Sequence, residues 1–191
     1  MINKAVLGRS SSGENPLGNQ PIGRLLLKFA VPSIIAMLVG ALYNIVDQFF
    51  IGQKIGVLGN AATNIAFPLS TSCVAIGLLF GIGGAAAFNL AMGAGERERA
   101  TSLVGNALVM LFGLGTLLAV GTLLFLKPLL TFFGSPDNVL PYAIQYTSIT
   151  ALGFPFLIFS TGGGHLIRAD GSPQFAMLCN LSGAVINTIL D

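Results

Sequence analysis

Charge is what this sequence has least of. Its 191 residues include nine basic and seven acidic side chains, 8% together, against 53% hydrophobic residues. A soluble domain carries about 25% charge, so this chain lacks the polar groups needed to cover a globular surface in water. The net charge of +2 is too small and too dispersed to favour nucleic acid, and no such partner is expected. Histidine occurs once, at His165, and cysteine twice, at Cys73 and Cys179. The two cysteines lie far apart in apolar stretches with no metal or redox spacing, which leaves them as helix-packing residues. No Ser-His-Asp set, zinc motif or intramembrane-protease signature is present. Enzyme chemistry therefore has no foothold, and no cofactor is expected. GIGGAAA (81–87) and STGGGHL (160–166) match neither GxGxxG nor GxxxxGK[ST]. Both lie in apolar runs, where small residues serve packing instead.

Apolar length is what the chain has in abundance, with a mean hydropathy of +0.82. A helix needs roughly 20 apolar residues to cross the hydrocarbon core. Such runs cover residues 29–51, 61–91, 103–126 and 139–167, and a fifth covers 175–191, still apolar where the sequence stops. The expectation is an all-α integral membrane protein of about five transmembrane helices in a lipid bilayer, the fifth cut short. Residues 1–20, rich in Ser, Gly and Asn (RSSSGENPLGN), read as a flexible cytoplasmic tail. The first span is too long for a signal-peptide core, and no small-residue cleavage site follows it.

The basic residues orient the spans. Lys4, Arg9, Arg24, Lys28, Arg97, Arg99 and Arg168 fall on one side, and only Lys54 and Lys127 on the other. Seven against two places the N-terminus in the cytoplasm of a multi-pass protein of the cell (plasma or inner) membrane. The acidic and basic residues of GERER read as a solvated loop with local ion pairs. Gly77, Gly81 and Gly84 offer small faces for close helix contact. Pro32 falls in the first turn of its span, whereas Pro68 and Pro155 fall in span interiors and are expected to kink them.

The few polar groups inside the spans are the candidate site. In ALYNIVDQFFIG (41–52), Asp47 is the only charge of the first span, with Asn44 three and Tyr43 four residues before it on the same helical face. In NTILD (187–191), Asn187 and Asp191 again stand four apart on one face. A carboxylate in such surroundings is either protonated, because desolvation disfavours its charged form, or holds a cation with amide and hydroxyl oxygens. A proton or a hard cation such as sodium would switch it. The competing reading puts Asp47 near the outer interface, about one helical turn before Gly52. His165, beside Arg168 at the cytoplasmic end of its span, reads as interfacial, with a proton relay as the alternative.

Five stretches, taken together, resemble the N-terminal half of the MATE (multidrug and toxic compound extrusion) family of bacterial transporters. They are PIGRLLLKFAVPSIIAMLVGALYNIVDQFFIG, GAGERERA, YTSITALGFPF, LIRADGSPQFAM and NTILD, in the family's order and covering nearly everything after Pro21. The resemblance implies a twelve-helix transporter of two six-helix lobes, with residues 21–191 a partial N-lobe. It implies export of organic cations and other drugs by antiport against protons or sodium. It assigns coupling to Asp47, Asn187 and Asp191, with sodium as the candidate metal there, and to Tyr146, seven residues ahead of GFPF at 153–156. Asn44 and Tyr43 would support them. The implied partners are small-molecule drugs and a C-terminal lobe not contained in this sequence.

One alternative is a lipid-linked saccharide flippase of the same superfamily, which would present more basic residues to pyrophosphate than spans without internal Lys or Arg offer. The other is a non-transporting membrane scaffold. A lone partial lobe has no partner lobe to rock against, so the 191-residue chain is expected not to transport by itself. Drug efflux from cells expressing only this chain, lost on Asp47→Asn, would overturn that expectation.

Overall fold

The computed structural model of the chain describes residues 22–190. Residues 1–21, which hold the expected tail, and Asp191 lie outside the described residues, as do the side chains of Arg24, Leu25, Tyr43, Thr188 and Leu190. The described chain is helical: α1 (Ile22–Ile55), α2 (Val57–Gly93), α3 (Arg97–Leu124), α4 (Leu126–Phe132), α5 (Leu140–Ala169) and α6 (Pro173–Leu190). An apolar chain in lipid has no water to satisfy its N–H and C=O groups, and a helix satisfies them within the segment. Four of these helices, α1, α2, α3 and α5, are long and apolar enough to cross a membrane. Their apolar side chains point outward as well as inward: Met37 is 75% exposed, Val109 72% and Phe156 68%. A surface of that kind suits lipid, so the protein is a multi-pass membrane protein.

Apart from the break at Phe125 between α3 and α4, each junction between helices uses a glycine with positive φ, a conformation that a side chain disfavours. Gly56 (φ 75°) alone separates α1 from α2, and Gly95, Gly134 and Gly171 end α2, α4 and α5. At the last three, the next N–H reaches back five residues: Glu96 donates to the Ala91 carbonyl at 2.9 Å, Ser135 to Leu130 at 3.1 Å and Ser172 to Ile167 at 3.3 Å. These are Schellman caps, which satisfy carbonyls that the helix end would otherwise orphan.

The centre of the molecule is a three-helix core of α2, α3 and α5, whose fully buried members include Cys73, Leu111 and Ile158. Small residues bring these backbones into contact. A Cβ on Gly81 would stand 2.5 Å from the Gly162 Cα, one on Gly115 would stand 2.6 Å from the Pro155 Cα, and one on Gly162 would run into Leu111. The small faces expected around Gly77 and Gly81 are thus the α2–α5 seam. Contacts of α2 with α5 advance together along both helices, so the two run parallel. Those of α3 with α5 run opposite, so α3 is antiparallel to both. Helix α1 rests mainly on α6, and this pair joins the core through α1 on α2 and α6 on α5.

Three features depart from the sequence reading. Helix α1 begins at Ile22 instead of near 29, because a helix continues past the hydrocarbon edge where Lys28 is exposed. Pro32 consequently sits buried in the helix interior, not in the first turn. The segment after 124, expected as span end and loop, contains the short α4. Its Leu130 is fully buried in a second cluster with Ala62, Val139 and Ala143, which closes one end of the bundle. The Glu96–Arg99 ion pair at 2.8 Å lies on the surface of the α2–α3 turn, as the GERER reading expects.

Replacing Gly81 with valine forces α2 off α5 and should cost about 1–3 kcal/mol of overpacking strain. Gly83→Val, where an added Cβ meets nothing within 4 Å, should leave stability nearly unchanged. Thermal unfolding of the two variants in detergent checks the contrast, and equal losses would contradict the seam.

Candidate functional site

The candidate site forms where the end of α1 meets α2 and α5. Asp47 lies eight residues before Ile55, the last of α1, and Tyr146 six residues after Leu140, the first of α5. At 1.5 Å per residue that is about 12 Å and about 9 Å from their helix ends. Both residues therefore sit at a similar depth near the end of the bundle that holds Gly56. Asp47 is half-buried with its Oδ1 covered, and the phenol of half-buried Tyr146 lies within electrostatic reach of the carboxylate.

Neighbouring polar groups frame the pair. Gln48, next to Asp47 on α1, accepts a hydrogen bond from buried Thr63 of α2 (Oγ1 to Oε1 3.2 Å). The same hydroxyl donates to the Asn60 carbonyl one turn back at 2.9 Å, so one proton is shared between two acceptors. Asn60 packs close against α1, where a Cβ on Gly52 would stand 3.1 Å from its Nδ2. Gly59 is tighter still, with room for a Cβ only 2.8 Å from Ile55 Cβ. A cavity of about 230 Å³ opens beside this seam, lined by Ile51, Thr63, Tyr142, Gln145, Tyr146 and Ile149 among others.

The other residues singled out in the sequence fall as follows. Asn187 is half-buried on α6, which packs along α1, and its Oδ1 is covered without a hydrogen-bond partner among the described residues. Val39, Leu42 and Val46 of α1 face Leu181, Ala184, Val185 and Ile189 of α6 across a narrow groove. Asn44 is exposed. Tyr43 is on α1, and its side chain, like all of Asp191, lies outside the described residues. The structure thus puts Asp47 and Tyr146 near the same end of the bundle, within electrostatic reach, and puts Asn187 on a helix that packs along α1. His165 and Arg168 are half-buried at the opposite end of α5, where the Arg168 Nε is covered without a hydrogen-bond partner among the described residues.

Gln48, Asn60, Thr63 and Gln145 were not among the sequence candidates. A signal existed: Asn60 and Thr63 stand three apart near the start of α2, and Gln48 adjoins Asp47. Among the described residues no group of three His, Cys, Asp or Glu could hold a metal ion. Any cation held here would draw on amide, hydroxyl and carbonyl oxygens beside the Asp47 carboxylate, a donor set suited to a hard monovalent ion or a proton.

Residues 32–191 match the MatE family model. The FAD transporter of Shewanella oneidensis is 29% identical over 172 residues, covering 90% of this chain and 38% of that protein. The multidrug export protein MepA of Staphylococcus haemolyticus is 28% identical over 170 residues, 89% of this chain and 38% of that protein. A crystal structure of MATE in the straight conformation superposes with a TM-score of 0.81 at 25% identity, covering 88% of this chain and 37% of that one. The chain spans less than two-fifths of the length of the curated relatives it matches.

Because Gly59 sets how closely α1 approaches α2, Gly59→Leu should pry the helices apart at a cost of about 1–3 kcal/mol. Hydrogen exchange should rise in the last turns of α1 while the α2–α3–α5 core keeps its protection. Uniform loss of protection would count against a separable seam.

Proposed function

The chain belongs to the MatE family, and on that premise we propose that it forms the N-terminal lobe of a multidrug exporter that exchanges drugs for protons or sodium. The observation that carries this reading is Asp47, a half-buried carboxylate among apolar residues near the end of α1, with Tyr146 within its electrostatic reach. Matched relatives named for multidrug export support the substrate class. The end of the bundle bearing Lys28, Arg97, Arg99 and Arg168 faces the cytoplasm of the inner membrane in this reading, following the bias of basic residues. The other end, with Asp47 and the 230 Å³ cavity, then faces outward.

The proposed cycle follows from the cost of charge in lipid. In the outward-open state Asp47, with Asn187 of α6 and with Asp191, takes up a proton or sodium. Neutralising the site removes the penalty and any repulsion between the two carboxylates. Helix α1, which lies outside the three-helix core, then rearranges and displaces the drug from the lobe. Inward release of the ion restores the charge. The C-terminal lobe of the longer protein supplies the surface against which the rearrangement alternates access.

A second reading has its own support. The relative at 29% identity is named an FAD transporter, and a dinucleotide is anionic. Half-buried Arg168, its Nε without a hydrogen-bond partner among the described residues and with His165 one turn away, is a group that an anionic substrate would engage. A proteoliposome uptake assay on the longer protein with a fluoroquinolone, an organic cation dye and FAD distinguishes the two readings. It also separates both from a saccharide flippase and from a scaffold.

The test of the coupling site is drug resistance in cells carrying the longer protein. Asp47→Asn and Asp191→Asn should each lower efflux by at least about tenfold, a barrier change of about 1.4 kcal/mol. Wild-type resistance from both variants, at equal expression, would reject the assignment.

A further inference from the structure

A groove of about 670 Å³ runs along α3 and α5 at the end of the bundle that bears Arg97 and Asp170. Its walls include Thr101, Gly105 and Leu108 of α3 and Phe159, Gly163 and Asp170 of α5. On each helix these residues recur at helical spacing, so each set forms one face. Because the two helices are antiparallel, Thr101 and Asp170 share the outer end, and Leu108 and Phe159 lie toward the middle of the bundle. At that inner end Phe159 stands edge-on to Phe112, with ring centroids 6.4 Å apart. From Phe159 to Asp170 the helix rises about 16 Å. That is half of the ~30 Å hydrocarbon core, the depth of one leaflet.

Two glycines keep the groove open. Gly105 is exposed and Gly163 half-buried, and a Cβ added to either would meet nothing within 4 Å. They differ in this from Gly81 and Gly115, where the missing Cβ lets backbones touch. A helix-interior glycine with no packing role costs stability relative to alanine, yet these two stand on opposite walls. The space they leave is apolar until its outer end, where charge begins. Asp170 is exposed on the α5 wall, and exposed Arg97 stands one turn before Thr101 in the same row of α3. Among the described residues neither takes part in an ion pair, whereas Glu96 and Arg99 nearby neutralise each other.

We propose that this groove seats one acyl chain of a phospholipid whose headgroup carries a primary amine. The chain lies between Gly105 and Gly163, the phosphate meets the Arg97 guanidinium, and the ammonium donates to the Asp170 carboxylate. The two protein charges thus match the two headgroup charges in sign. An anionic headgroup without an amine would satisfy Arg97 and leave Asp170 facing a like charge. A quaternary amine has no N–H to donate. Basic residues at a membrane surface ordinarily draw anionic lipid, so a preference for the zwitterion is a specific consequence of Asp170. The inference needs only that the chain spans a membrane, and it holds whichever compound the longer protein carries.

The experiment is native mass spectrometry of the 191-residue chain in detergent, titrated with phosphatidylethanolamine and phosphatidylglycerol of identical acyl chains. The amine lipid should be retained about tenfold more tightly, the weight of one charge-assisted contact. Asp170→Asn should bring the two lipids to parity, and Arg97→Gln should weaken retention of both. Gly105→Leu, which fills the groove, should lower retention of both while the midpoint of thermal unfolding in lipid-free detergent stays level or rises. Gly163→Leu fills the same space from the other wall and replaces it should Gly105→Leu fail to fold. Equal retention of the two lipids by the parent chain, or retention unchanged in the filled variants, overturns the proposal. A dimer that Gly105→Leu dissociates gives the groove to a second copy and overturns it equally. The same titration of the longer protein should again favour the amine lipid; its loss there assigns the groove to the added chain and also overturns the proposal.

Discussion

Two helix backbones touch at Gly81 and Gly162, and the bundle is arranged around that contact. Lipid tails are as apolar as leucine, so helices in a membrane gain little from hiding apolar surface against one another. What holds them is dispersion across surfaces close enough to interlock, and glycine permits the closest approach. Gly81 on Gly162, Gly77 on Thr161 and Gly115 on Pro155 lock α2, α3 and α5 into one unit. Pro155 removes an N–H from α5 and frees the carbonyl four residues earlier. The helix nonetheless runs unbroken from Leu140 to Ala169, its proline buried against α3.

Outside that unit lie α1 and α6, and the contrast has a mechanical meaning. Helix α1 is the least buried of the four membrane-length helices. It contacts the core along its last turns, where Gly52 and Gly59 allow approach, and otherwise leans on α6. An element with few buried contacts is the one that moves at least cost. The carboxylate of the candidate site is thus carried by the most weakly held long helix, at the point where that helix meets the rigid core.

Most of the architecture was legible because it follows from composition. Sixteen charges, nine plus seven, cannot clothe a soluble fold, and the apolar runs located the membrane-length helices to within a turn or two. The boundaries were less legible. A helix does not stop where hydropathy falls, and Lys28 reads as lying just before the first span although it lies inside α1. That single misreading also put Pro32 in a first turn. The run 126–132 is too short to register as a span, yet Leu130 makes it part of the core. At the site, Asp47 announced itself by its cost, and Tyr146 was carried by the family resemblance. Thr63 and Gln48 did not stand out, because an uncharged polar residue in a helix is common. What distinguishes these two is the azimuth at which α1 meets α2, a property of packing that periodicity in one helix does not contain.

The scarcity of charge also bears on how Asp47 is compensated. Among the described residues every Lys and Arg lies toward a helix end or in a turn, and the polar groups that α2 and α5 bring to the last turns of α1 include amides, hydroxyls and a phenol. A permanent cationic partner would hold such a carboxylate ionised and make its state insensitive to the medium. In the proposed cycle, neutral donors stabilise either form only modestly and leave the balance to the mobile cation that reaches the site. The absence of Lys and Arg from the span interiors, the first thing visible in the sequence, is therefore the condition under which this aspartate can respond to its surroundings.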